Sequence, residues 1–373
     1  MEHKEGVEHM ERERRWILTV CDPRVNDGAR IRAIMEEPLD GAYMLGQLLF
    51  HRVGGLACEK LERLSLLEGM NREFRNTLLT VYRDGGSKTT DFLQLLEMLA
   101  GILKEADFPY ALLKGAFLAG IYPHGCRTSN DIDLLLRAED LDRLTALLTA
   151  RGFAQGWVRS GRIQPATRGE VVAARMNRGE TIPFLRETGL RAIPILELDV
   201  NFSLDCAPGN GCGAVPRMLE EARPRIETSA GALRTLSEED FLIHLCCHLY
   251  KEAAAYPWVR FGRDQGLYKY CDIALCLLRY GSRALEERLA ARIRALGLEK
   301  ECYFALYHTN ALFPLANTEL LRRLTPADDS FLREVTDPGT GKRYRHELPT
   351  ADWVFCGRRK EMLHEITDAE TTA

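Results

Sequence analysis

The chain has 373 residues, 46% of them hydrophobic and 28% charged, enough to bury a large core in two or three subdomains. Its net charge of −4 excludes a global basic footprint for nucleic acid, although a local basic groove stays open. It has no apolar run of the roughly eighteen residues a membrane span needs, and its charged opening MEHKEGVEHMERERRW has no apolar secretory core, so a cytoplasmic protein is expected.

In chain order, residues 1–25 read as a frayed, charged lead-in. From 27 to 107, apolar residues recur at three- and four-residue spacing, as in AYMLGQLLFHRV and DFLQLLEMLAGILKEA, which predicts a helical region. Asp84-Gly85-Gly86-Ser87 is expected to break that run. Residues 108–204 alternate strand and helix. Strands are expected at 110–113, 131–136 and 193–202, with weaker ones near 154–158 and 170–176. Helices are expected at 116–121 and 139–151, the second with Glu139 and Asp140 at its start and Gly152 at its end. Residues 216–323 return to helix, most clearly in FLIHLCCHLY and YCDIALCLLRY. In the tail, Asp337-Pro338-Gly339-Thr340-Gly341 marks a turn, and 360–366 predicts a last helix. The expected domains are therefore an N-terminal helical region (1–107), an α/β core (108–215), a C-terminal helical domain (216–323) and a mixed tail (324–373).

Eleven cysteines, at 21, 58, 126, 206, 212, 246, 247, 271, 276, 302 and 356, have irregular spacing and no CxxC pair, so buried reduced thiols are expected. His244 and His248 stand at i, i+4 on a helix, but no third ligand accompanies them, and core or surface histidines are expected.

The densest chemistry lies in Tyr110–Leu136, which reads YALLKGAFLAGIYPHGCRTSNDIDLLL. Side chains alternate across a strand, so Asp131 and Asp133 point the same way and Ile132 the other. Two adjacent carboxylates repel unless a cation lies between them, and hard oxygen ligands of this kind suit Mg²⁺ together with substrate phosphates. Gly115, in a turn before a short helix, supplies backbone N–H groups that can hold those phosphates. Further on, Glu197 and Asp199 share one face of the strand ILELDVN, so either acid could complete a metal site.

This arrangement resembles the nucleotidyltransferase superfamily of DNA polymerase β, in which a glycine turn precedes a helix, an Asp-x-Asp strand follows, and a later strand brings a third carboxylate. More narrowly, LLKGAFLAGIYP, Arg127 and DIDLLL are similar to an uncharacterised bacterial nucleotidyltransferase family. Weaker matches in LELDVNFSL, LSEEDFLIHLCCHLYK and YCDIALCLL extend the resemblance over roughly residues 30–360. It implies an α+β fold: a mixed sheet with helices, flanked by N-terminal and C-terminal helical regions. It implies that Asp131, Asp133 and a third acid hold two Mg²⁺ ions. The family's L-E-L-H-W pattern aligns that acid with Glu197 and places Asp199 where a histidine is usual. Lys114 and Gly115 would position the phosphates of an NTP. Ala116 departs from the serine that often follows the glycine in the superfamily. Arg127 would clamp a phosphate or pair with the acids. Lys269, like Asp272, would either line the nucleotide cleft or belong to a solvated helix face.

The expected activity is Mg²⁺-dependent transfer of NMP from an NTP, ATP first, to a hydroxyl of a small molecule or peptide, with release of pyrophosphate. Two alternatives stay open: a toxin that modifies tRNA, and an inactive nucleotide-binding scaffold.

Overall fold

The computed structural model describes residues 2–205, 213–280, 283–315 and 318–366; for 2–10 and 283–285 it describes the backbone alone. Cys206 and Cys212 lie outside the described residues. The chain divides into two compact units. One comprises residues 1–79, 245–294 and 298–373; the other comprises 80–244 and 295–297.

The second unit holds a mixed eight-stranded sheet. Its strands are β1 (Tyr110–Leu112), β2 (Asp131–Leu136), β3 (Ala154–Arg159), β4 (Arg162–Pro165), β5 (Phe184–Glu187), β6 (Ile195–Asn201), β7 (Arg223–Ile226) and β8 (Leu233–Thr235), in the order β4-β3-β5-β6-β2-β1-β8-β7. The central pair β2–β6 is parallel, and β2 runs antiparallel to β1. Ile132, Leu134 and Leu136 of β2, with Leu196, Leu198 and Val200 of β6, turn one face into a core built with Phe92, Leu95, Leu96 and Leu99 and with Leu141, Leu144 and Leu148. The alternation that buries these residues leaves the aspartates of β2 on the opposite face. The fold is thus α+β, with a mixed sheet and flanking helices.

The other unit is helical apart from a small antiparallel sheet of β9 (Glu334–Thr336), β10 (Arg343–Arg345) and β11 (His364–Glu365). Val259, Val335 and Trp353 form a local core there. The nine described cysteines are free thiols, and all but Cys356 are buried.

Five expected elements are corrected. Residues 216–323 are not helix throughout: β7 and β8 lie within them and extend the sheet beyond β1, where Leu233 turns into its core. Residues 1–25 are no frayed lead-in: Glu2–Cys21 is a helix whose Trp16, Ile17 and Val20 are buried, because those apolar positions fall on one face. Asp84-Gly85-Gly86-Ser87 does not break its helix, which runs unbroken over Arg72–Leu103. The segment near 170–176 is a helix, Arg168–Asn177, started by a capping box between Thr167 and Glu170. The last segment is a 3₁₀ turn at Arg359–Met362 followed by β11, which pairs with β10.

Candidate active site

β1 delivers the chain to the site. The Leu113 N–H donates to the Asp133 carbonyl (3.0 Å), and the backbone then turns at Lys114 with φ +38°. Non-glycine residues rarely occupy that region, and such strain clusters at functional sites. The short helix Gly115–Leu118 follows. A Cβ on Gly115 would lie 2.8 Å from both Cβ and Oγ of Ser129, so glycine alone lets this turn meet the loop that enters β2.

That loop is anchored from behind. A Cβ on Gly85 would lie 2.5 Å from the carbonyl oxygen of Gly125, and Gly125 itself has φ +83°. His124 rests against Gly86 and stands 3.2 Å from Thr90 Oγ1. The glycine pair inside the long helix is therefore a seat for the loop.

The register of β2 on β6 then assembles the carboxylates. Asp131 lies opposite Glu197 and Asp133 opposite Asp199, so four acids share one face of two adjacent parallel strands. Burial pushes the Asp133 carboxyl up, opposed by Lys114 and reinforced by Asp131. Burial, with Asp131 and Asp133, also raises Glu197. Asp199 is pushed up to about 8, by burial first and then by Asp133, Asp131 and Glu197. Four acids that repel one another, with Asp133 buried and the other three half-buried, are short of positive charge. Lys114 supplies some, with Nζ 2.6 Å from Asp133 Oδ1. Ser129 Oγ donates to Asp131 Oδ1 at 2.7 Å.

The donor set is oxygen only and hard, which fits Mg²⁺ rather than a soft-ligand metal. Among the described residues, no three His, Cys, Asp or Glu side chains already converge as a metal cage. Asp133 turns to Lys114 and Asp131 to Ser129.

The structure brings Lys114, Gly115, Asp131, Asp133, Glu197 and Asp199 together. Arg127 is half-buried on the same loop, and its Nη1 donates to the Thr128 carbonyl at 2.8 Å. Lys269 lies in the helical unit, buried within Leu267–Tyr280. Its ammonium donates to Glu252 and to the carbonyls of Arg263 (3.0 Å) and Asp264 (2.7 Å). A solvated helix face is therefore not its setting. Asp272 is buried on the same helix. Two residues escaped the sequence reading. Glu180, bridged by its backbone to Asn201 of β6, adds negative potential at Asp133, and nothing in Gly179-Glu180-Thr181 signals this. Ser129 stands two residues before Asp131 in the sequence, and only the fold shows that its hydroxyl touches that carboxylate.

A mixed sheet that presents paired acids beside a glycine turn is the setting of nucleotidyl-transfer chemistry. The chain belongs to the family described as uncharacterised nucleotidyltransferase, whose match covers residues 40–314. It is accordingly an enzyme of nucleotidyl transfer. Comparison with curated proteins gave no match. Among the described residues, no helix is long and apolar enough to cross a membrane.

Proposed function

We propose that this enzyme moves AMP from ATP to a hydroxyl of a small molecule or peptide, releasing pyrophosphate, with two Mg²⁺ ions held by Asp131, Asp133 and Glu197. The observation that carries this reading is the β2–β6 register, which stacks two rows of carboxylates beside the Lys114–Gly115 turn. Bound Mg²⁺ would offset the charge that builds on the α-phosphate and on the leaving pyrophosphate.

The chain's own groups do the rest. Lys114, now on Asp133, is within reach of a phosphate once metal takes over that carboxylate's charge. The backbone at Gly115 has no side chain to hold phosphate away. Asp199, whose carboxyl is raised to about 8, would give up that proton to solvent when bound Mg²⁺ offsets the acids around it, and its carboxylate would then accept the acceptor's hydroxyl proton. In the transfer the hydroxyl oxygen bonds to the α-phosphorus, the bond from that phosphorus to the β-phosphate bridge breaks, and the proton passes to Asp199. Arg127 stands on the loop that leads into β2, where its guanidinium can meet the phosphates. Net charge −4 favours a cationic or neutral acceptor over RNA. Buried free thiols suit a reducing compartment, and we place the enzyme in the cytoplasm.

Labelled ATP tests the reaction. With Mg²⁺ and cell extract, label in the α-phosphate should pass to an acceptor and label in the γ-phosphate should leave as pyrophosphate. Transfer of the γ label would make the enzyme a kinase and overturn the proposal.

A further inference from the structure

We propose that Ser129 is a positioning residue that holds Asp131 in the orientation needed to bind metal; this rests on the reading of Asp131 as a metal ligand. The two acids of β2 are each gripped by one side chain from a neighbouring turn. Asp133 is held through Oδ1 by Lys114 at 2.6 Å. Asp131 is held through Oδ1 by the Ser129 hydroxyl at 2.7 Å. A carboxylate anchored through one oxygen has lost its freedom to rotate, and its other oxygen then points in one direction.

The fold fixes the serine as firmly as the serine fixes the aspartate. Ser129 sits so close to Gly115 that any Cβ there would meet it at 2.8 Å. Its loop is pinned at Gly125, whose carbonyl occupies the place of a side chain on Gly85. The glycine turn has no hydroxyl of its own, because Ala116 follows Gly115. Ser129 thus brings a hydroxyl to Asp131 from the loop that enters β2. Gly115 has a second role beside its freedom to approach phosphate: it leaves room for the hydroxyl that orients the first metal ligand.

The test measures binding of Mn²⁺ alone to the full-length protein, followed by the Mg²⁺ concentration for half-maximal activity at saturating ATP. Ser129→Ala should weaken Mn²⁺ binding and raise the Mg²⁺ requirement by about ten-fold, the lower end of what loss of a ligand-orienting partner costs. The KM for Mg-ATP at saturating Mg²⁺ and the melting temperature should stay near those of the parent. Gly115→Ala should weaken Mn²⁺ binding similarly by displacing Ser129. In Gly115→Ala with Ser129→Gly, where the collision is gone, binding should be no weaker than in Ser129→Gly alone. Parent-like Mn²⁺ affinity in Ser129→Ala overturns the proposal, as does a lowered melting temperature with unchanged Mn²⁺ affinity. Asp131→Asn separates the two levels. If it loses Mn²⁺ while Ser129→Ala does not, only the serine's role fails; if it keeps Mn²⁺, the metal-site reading fails with it.

Discussion

At the scale of single residues, the site is a problem of charge. Asp131→Asn and Asp133→Asn each remove an acid of the proposed metal site, and each should lower transfer by at least about 100-fold, the upper end of the effect of losing an outer-shell partner, with native circular dichroism. Near-parent turnover in either variant would remove the assignment. Glu197 and Asp199 differ in expected role, so they should fail differently. Glu197→Gln should raise the Mg²⁺ needed for half-maximal activity; Asp199→Asn should leave that requirement near normal and lower kcat. The reverse pattern would exchange the two roles. The raised carboxyl of Asp199 also predicts a pH dependence. Its folded pKa of about 8 lies above the ordinary carboxylate value of 3.8. Between those values the native state holds a proton that the unfolded chain has released, so this group's contribution to stability falls as pH rises. In EDTA, Asp199→Asn should match the parent near pH 4 and gain in relative melting temperature as pH approaches 8. A constant difference across that range would refute the proton on Asp199.

At the scale of elements, the sequence yielded some features readily and hid others, for physical reasons. Asp131-Ile132-Asp133 and ILELDVN were legible because strand alternation alone sorts acids from core residues. Which acids face each other was not, because register depends on pairing partners distant in sequence. Asp84-Gly85-Gly86-Ser87 misled because glycine's low helix propensity, about 1 kcal/mol per residue, is a local quantity. What keeps these glycines inside Arg72–Leu103 is a loop forty residues away that needs a bare helix surface. The Arg168–Asn177 helix was hidden for a different, local reason: β-branched Val171-Val172 suggests a strand, while Thr167 and Glu170 cap the segment as a helix. The glycine seat gives its own prediction. Gly85→Ala raises intrinsic helix propensity, yet its Cβ would sit 2.5 Å from the Gly125 carbonyl, a backbone atom that cannot swing aside. We expect lower activity and weaker metal binding despite the better helix former, through displacement of the loop that carries Ser129. Gly101→Ala on the same helix, where nothing lies within 4 Å, is the control and should leave activity unchanged. Equal behaviour of the two variants would mean that the loop does not depend on this seat.

At the scale of the whole molecule, sequence order and compact units do not coincide. The boundary near Leu79 falls inside the Arg72–Leu103 helix, and the one near His244 inside the Glu238–Ala253 helix. The helical unit gathers N-terminal and C-terminal segments, an arrangement that helical periodicity alone does not reveal. Lys269 shows what that hides. In sequence it is one of several basic residues among tyrosines; in the fold its three ammonium protons meet Glu252 and two carbonyls inside the unit. His248 also stands 3.6 Å from Glu252. Breaking a buried pair from one side leaves the other charge without compensation, at a cost of about 3–5 kcal/mol. Lys269→Met should therefore lower the urea midpoint of the unfolding step that belongs to the helical unit; with two compact units, unfolding in more than one step is expected. Below that midpoint the KM for ATP should equal the parent's. Lys269→Met with Glu252→Gln, which removes both charges, should recover part of the lost stability. A raised KM for ATP with an unchanged urea midpoint would return Lys269 to the nucleotide site that the sequence suggested for it.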